Sequence, residues 1–188
     1  MKFFPPHTLE LTLALIKPHA AQIPPVVQKI KESLITNGYF ILRWRRDIIT
    51  LDIAEKMYSV HKTKPFYIRL VSMMTSGPAE SFVLARENAI KHWRTMMGPT
   101  RVLESQYTHP YSLRSLYGTS NTRNATHGAD SLESMKNEVS IFFPDFDVDA
   151  WYEDEEVYFR NGYSKFDEDL QIHVKEDIAF PDIIKNCN

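Results

Sequence analysis

Asn124-Ala125-Thr126-His127-Gly128-Ala129-Asp130 reads as a short strand, Asn124 to His127, running into a helix that begins at Ser131. Asp130 or Ser131 caps that helix. Leu132, Met135, Val139 and Phe142 recur at helical spacing and are predicted to point inward, and Phe143-Pro144 ends the run. At the junction a histidine stands beside a glycine. An imidazole exposed at a strand end, next to a residue whose missing side chain lets a substrate come close, suits nucleophilic work. Alone, the pattern is weak, because a single His before a Gly is more often an ordinary loop residue.

Upstream, Leu9-Glu10-Leu11-Thr12-Leu13-Ala14-Leu15-Ile16 alternates and then turns apolar, which predicts a central strand ending at Lys17-Pro18. A lysine at that point either snorkels to water or meets an anion. Pro24-Pro25 opens a helix with Val26, Val27, Ile30, Leu34 and Ile35 as its apolar face, stopped by Asn37-Gly38. Tyr39 to Ile49 is a second strand, with Phe40, Leu42 and Trp44 on one face and Arg43 and Arg45 on the other. With Arg46, these arginines read better as a solvated face than as a nucleic-acid patch.

Asp52 to His61 is predicted helical, carrying Met57 and Tyr58. Lys64-Pro65 breaks it, and Phe66 to Met74 resumes with Phe66, Leu70 and Met73 as one face. After the turn at Ser76-Gly77-Pro78, Ser81 to Ala85 is a third strand. Asn88 to Met97 is a helix with Ile90, Trp93 and Met97 inward, ended by Gly98-Pro99. Thr100 to Pro110 has no period and is predicted to be a long loop. Ser112 to Tyr117 is a short helical turn closed by Gly118. Strands and helices alternate, but the strands are few. The order predicts an α+β fold, a ferredoxin-like sandwich whose four-stranded antiparallel sheet has helices packed on one face.

The 188 residues suit one domain with extensions. The expected division is an N-terminal extension (1–8), the domain (9–146) and an acidic C-terminal extension (147–188). The net charge of −2 hides an asymmetry: from Asp145 onward there are 13 acids and 4 bases, leaving 11 acids and 18 bases before it. A basic body suits phosphate-bearing partners. The aromatics of the acidic extension, Trp151 and Tyr152 among them, predict that its first part packs on the body. The lone cysteine, Cys187, excludes an internal disulfide and favours a reducing compartment. No apolar run reaches membrane-spanning length. The start of the chain has neither a secretory nor a transit pattern.

No Gly-x-x-x-x-Gly-Lys-Ser/Thr or Gly-x-Gly-x-x-Gly loop occurs, and the seven histidines show no metal-ligand spacing. No nucleophile elbow is present. What remains is a scatter of cationic and hydroxyl residues at predicted element ends: Lys17, Tyr58, Arg94, Thr100, Arg114 and Asn124. Each alone is more often a surface residue. With His127 they form a candidate phosphate site that needs no glycine-rich loop, since guanidinium forks match phosphate oxygens.

Ile16-Lys17-Pro18, Gly77-Pro78, Trp93-Arg94-Thr95-Met96-Met97-Gly98-Pro99-Thr100 and the Asn124–Asp130 stretch occur in the order seen in nucleoside diphosphate kinases. Over residues 9–146 the chain resembles that family. Met97-Gly98-Pro99-Thr100-Arg101, the longer loop before Arg114, and Phe142-Phe143-Pro144-Asp145-Phe146 followed by Trp151-Tyr152-Glu153 resemble its divergent nucleoside diphosphate kinase 6 type.

The resemblance implies a ping-pong transfer in which His127 takes the γ-phosphate of a nucleoside triphosphate and passes it to a diphosphate. By motif position it implies Lys17 and Asn124 on ribose hydroxyls, with Lys17 also on phosphates. It implies Arg94, Thr100 and Arg114 on phosphates, and Phe66 stacked on the base. Tyr58 would support Lys17 and the phosphate region, Glu138 would orient His127, and Gly128 would leave room for the phosphate. Mg²⁺ would arrive on the nucleotide phosphates. Implied partners are ATP and other nucleoside di- and triphosphates, with a homo-oligomer and a protein partner for the acidic tail both open. Neither membrane nor nucleic acid is expected, and the implied compartment is cytoplasmic or mitochondrial.

Two departures carry consequences. Ala129 stands where the family usually has Ser, a hydroxyl that links the histidine to its glutamate. Losing one neutral hydrogen bond costs about 0.5–1.5 kcal/mol, up to about tenfold in rate. His19 stands where the family has an acid, and is expected to alter a helix start or turn rather than the phosphate site. The alternative to an active kinase is a weakly active or inactive nucleotide-binding protein that works through a partner.

Overall fold

The structure is a computed structural model and describes residues 8–177. Met1–His7 and the expected terminal tail with Cys187 lie outside the described residues. In chain order come β1 (Glu10–Ile16), α1 (Pro18–Ala21), α2 (Pro24–Thr36), β2 (Phe40–Ile48) and α3 (Leu51–Met57). A 3-10 turn (Ser59–His61), α4 (Tyr67–Met74), β3 (Pro78–Arg86), α5 (Ala89–Met97), α6 (Val102–Thr108), α7 (Leu113–Tyr117) and β4 (Thr126–Gly128) follow. Last come α8 (Leu132–Phe142), α9 (Val148–Asp154), α10 (Glu156–Arg160) and a hairpin, β5 (Ser164–Asp167) with β6 (Ile172–Lys175).

β1 is central, as its apolar run predicts. It pairs antiparallel with β3 from Glu10↔Arg86 to Ile16↔Glu80, and with β4 from Ala14↔Gly128 to Ile16↔Thr126. β2 joins the far side of β3, giving the order β2-β3-β1-β4. This is the expected α+β, ferredoxin-like, four-stranded antiparallel sheet. The helices, however, cover both faces rather than one. Leu11, Leu13, Leu15 and Val83 face Met57, Met74, Met135, Val139 and Phe142, whereas Ala14, Ile16, Phe82 and Leu84 face Ile30, Leu34 and Trp93. Thr12, which looks like the polar side of an alternating strand, is fully buried.

Other expectations are corrected locally. β2 carries a bulge at Leu42: Ile41 opposes Leu84 while Arg43 opposes Val83. A bulge adds a residue and resets the alternation. Trp44 therefore packs with the Ile41 and Phe82 cluster, under Lys31 at 3.6 Å from its ring, and not with Phe40 and Leu42. Arg43 and Arg45 lie over Phe146 and Phe143 at 4.9 and 5.3 Å, so they shield aromatic surface. The predicted Thr100–Pro110 loop contains α6. Its buried positions are Val102 and Ser105, and one of these is polar, so no apolar period shows. Ile35 and Leu132 are exposed, and Glu138 takes an inward position on α8. α4 buries Val71, Met73 and Met74, while Phe66 stands just before it.

Beyond the sheet, Trp151, Tyr152 and Phe159 are buried against β1's leucine face. The Tyr152 hydroxyl accepts from Leu11 N–H at 3.0 Å. Glu156, fully buried, accepts from Thr8 and Leu9 N–H at 3.0 and 3.1 Å and lies 3.5 Å from Arg160. Removing that carboxylate orphans buried donors and a partly buried guanidinium. Glu156→Ala is therefore expected to destabilise the protein by about 3 kcal/mol, read from the urea midpoint at constant slope. The hairpin packs on β2, where Ile41 N–H donates to His173 Nδ1 at 3.0 Å and Phe40 meets His173 edge-on. No helix among the described residues is long and apolar enough to cross a membrane.

Candidate active site

β1 and β4 run antiparallel, so Lys17 leaves β1 beside the residues that lead into β4. Lys17 is only 4% exposed. Its Nζ donates to Asn124 Oδ1 at 2.6 Å and reaches the Thr122 carbonyl at 3.5 Å. Burial first, and the nearby Arg114 second, lower its pKa to about 7. Between Lys17 and His127 the backbone turns sharply: Ala125 has φ 64, and Thr126 N–H donates back to the Asn124 carbonyl at 2.8 Å. That is a γ-turn with positive φ, a rare and strained geometry.

His127 sits on β4, partly exposed. Its Nε2 lies 2.9 Å from Glu138 Oε2, a carboxylate two turns into α8. The other carboxylate oxygen accepts from Ser134 Oγ at 3.0 Å. Ser131 caps α8 by accepting from Ser134 N–H, which settles the choice between Asp130 and Ser131. Trp93 Nε1 donates to the His127 carbonyl at 3.1 Å. A Cβ at Gly128 would collide with the Trp93 ring and press on Met97. The glycine is thus accounted for by close packing of α5 on β4, not by an approaching substrate.

The predicted cations converge. Arg114 Nη1 donates to the Gly98 carbonyl at 2.8 Å and to Thr100 Oγ1 at 3.3 Å, and its Nη2 to the Thr126 carbonyl at 3.3 Å. Burial, then the charge of Arg94, lowers its pKa to about 10, with Tyr58 opposing. Asn124 Nδ2 reaches the Thr100 carbonyl at 3.5 Å. Tyr58 OH and Arg114 Nε are buried without a hydrogen-bond partner among the described residues. Burial and Glu138 both push the Tyr58 phenol up. No ion pair joins Lys17, Arg94 or Arg114 to a carboxylate among the described residues. A buried Lys17 and a half-buried Arg114 left without counter-charge, with the exposed Arg94 close enough to act on Arg114, make a place for an anion.

Phe66 stands apart from this network, 38% exposed, with its ring 5.6 Å from that of His61. Arg94 also lines a cavity of about 650 Å³ with Lys91, Gly98, Pro99, His109 and Asp130, a space that His127 does not border. Ser134 is a site neighbour absent from the sequence expectations; it lies four before Glu138, a helical spacing that brings side chains together and is the signal that points to it. His19 accepts at Nε2 from Ala125 N–H at 3.1 Å, so of the two places expected for its effect, a helix start or a turn, it touches the turn that leads into β4.

At the rim of this sheet a carboxylate-held imidazole thus lies near cations that no carboxylate neutralises among the described residues. The nucleoside diphosphate kinase profile matches residues 10–148. A zebrafish (Danio rerio) protein named nucleoside diphosphate kinase 6 is 45% identical over 166 residues, 88% of this chain and 94% of that protein. The Aquifex aeolicus nucleoside diphosphate kinase structure superposes with TM-score 0.69 at 36% identity, covering 72% of this chain and 95% of its own. A Halobacterium salinarum nucleoside diphosphate kinase in complex with CDP superposes with TM-score 0.66 at 30% identity, covering 77% and 97%. The chain belongs to the nucleoside diphosphate kinase family. Family and fold together support nucleotide phosphotransfer.

Proposed function

We propose that the chain moves the γ-phosphoryl group of a nucleoside triphosphate to a nucleoside diphosphate through a phosphohistidine on His127. The observation that carries this is the 2.9 Å contact of His127 Nε2 with Glu138, on a strand whose Thr126 carbonyl holds Arg114 and whose approach, at Asn124, holds Lys17. With Nε2 engaged by the carboxylate, the free lone pair is on Nδ1. Nδ1 attacks the γ-phosphorus, the bond from that phosphorus to the bridging oxygen breaks, and the diphosphate leaves with both electrons. In the return step a terminal oxygen of a second diphosphate attacks the phosphohistidine, and the P–N bond breaks back to Nδ1. Glu138 offsets the positive charge on the ring while phosphorus is bound.

Lys17, Arg94, Thr100 and Arg114 hold phosphate oxygens, and Asn124 and Lys17 hold the ribose. The exposed face of Phe66 receives the base, and Tyr58 supports the cations. Among the described residues no group of three or more His, Cys, Asp or Glu is placed to hold a metal. The cationic lining fits a Mg²⁺ held by the phosphates themselves, where it would neutralise their charge. The lone Cys187 fits a cytoplasmic or mitochondrial setting.

Incubation with γ-labelled ATP tests the reading: the protein is expected to acquire acid-labile, base-stable label and to surrender it to added diphosphate. Binding of nucleotide without label would favour the alternative, a nucleotide-binding protein acting through a partner. Because Ser134 already occupies Glu138 Oε1, Ser134→Ala is expected to slow labelling by about two- to tenfold. Ala129→Ser is expected to change it by less than about twofold. Both are read as single-turnover rates.

A further inference from the structure

We infer that His19 is a positioning residue for the site, holding the γ-turn at Ala125 that sets Asn124 and His127 in place. The inference rests on the proposed role of His127 in phosphotransfer. Ala125 is a non-glycine residue at φ 64, and such a conformation persists only where its surroundings over-determine it. Both of its backbone polar groups are held by one short stretch. Its N–H donates to His19 Nε2 at 3.1 Å, and its carbonyl accepts from Lys17 N–H at 2.8 Å. The residue is fully buried, so water does not replace either bond.

The turn lies between two working side chains. Asn124, on one side, holds Lys17 Nζ at 2.6 Å; His127, two residues on, meets Glu138. Releasing Ala125 rotates both relative to each other. Nε2 accepts only while the ring is neutral and its one proton is on Nδ1. The groups that face the ring, Lys17 after β1 and Arg123 in the segment before β4, are both cationic. Burial first, then these two charges, hold its pKa down to about 4, so the acceptor persists through the neutral range.

The claim is tested in three measurements on the full chain. In wild type, ¹⁵N spectra of the His19 ring at neutral pH are expected to show the proton on Nδ1; a proton on Nε2, or an imidazolium, overturns the inference whatever the activity. Next, Ala125 amide exchange and single-turnover labelling of His127 are compared in wild type, His19→Ala and His19→Gln. His19→Ala is expected to speed exchange and to slow labelling, each by about tenfold. His19→Gln, whose Oε1 reaches the place of Nε2 without a ring, is expected to restore both to within about threefold. If exchange in His19→Ala equals wild type, or if a folded His19→Gln is as slow as His19→Ala, the positioning role is wrong. Absence of label in wild type with the tautomer and exchange results intact would instead sink the phosphotransfer reading and leave His19 as the holder of the turn.

Discussion

Replacing His127 with alanine is expected to abolish transfer of label from γ-labelled ATP, lowering phosphotransfer by about 10⁴-fold or more, as removal of a nucleophile does elsewhere. Nucleotide binding is expected to survive, because Lys17 and Arg114 do not depend on the imidazole for their places: Lys17 is held by Asn124, and Arg114 by the Gly98 and Thr126 carbonyls and Thr100. The fold should survive too, since His127 is partly exposed and its backbone is held by the Ala14–Ile16 pairing. Labelling and equilibrium nucleotide binding on the same preparation separate the outcomes. Label that persists in His127→Ala would place the acceptor elsewhere and remove His127 as the nucleophile.

The second large effect concerns Lys17 and pH. Burial and Arg114 bring its pKa to about 7, so above that pH the free protein holds a neutral amine. A polyphosphate beside it favours the ammonium and raises the pKa of the complex. Binding above pH 7 then takes up a proton, and affinity falls by up to about tenfold per pH unit until the pKa of the complex is reached. Calorimetric titration in buffers of different protonation enthalpy measures the uptake directly, and Lys17→Met should flatten the slope. An affinity independent of pH between 7 and 9 would contradict the argument.

The sign for stability follows from the same shift. The unfolded lysine titrates near ~10.4, so between pH 7 and that value the unfolded chain holds more protons and the Lys17 contribution rises with pH. His19 works in a lower window. Its pKa of about 4 lies below the unfolded ~6.5, so its contribution is lost as pH falls through that interval.

The sheet was legible because Leu11, Leu13 and Leu15 alternate where β1 lies. Its second covered face was not, because Thr12 and Ala14 look like a solvent side and are buried. The bulge at Leu42 leaves no mark in a strand that still reads as alternating, so the alternation places Trp44 on the wrong side. At the site, the ordered motifs brought together Lys17, Arg114, Asn124, His127 and Glu138, residues far apart in the chain. Helical spacing places Ser134 beside Glu138, but what holds a strained turn depends on side-chain directions that spacing does not carry, as with His19. The packing of Gly128 on Trp93 is hidden in the sequence because the two residues come from different elements far apart in the chain.

The hairpin leaves one consequence for how copies of this chain meet. A sheet margin with free amide groups is a template on which another strand can continue the ladder. On β2 the Ile41 amide is already claimed by His173, and Phe40 is covered by the same ring. Farther along, Arg45, Arg46 and Asp47 put charge on that margin. A second molecule seeking to extend the sheet there has to dislodge the hairpin and bury those charges, so the fold carries its own bumper against edge-to-edge sheet growth.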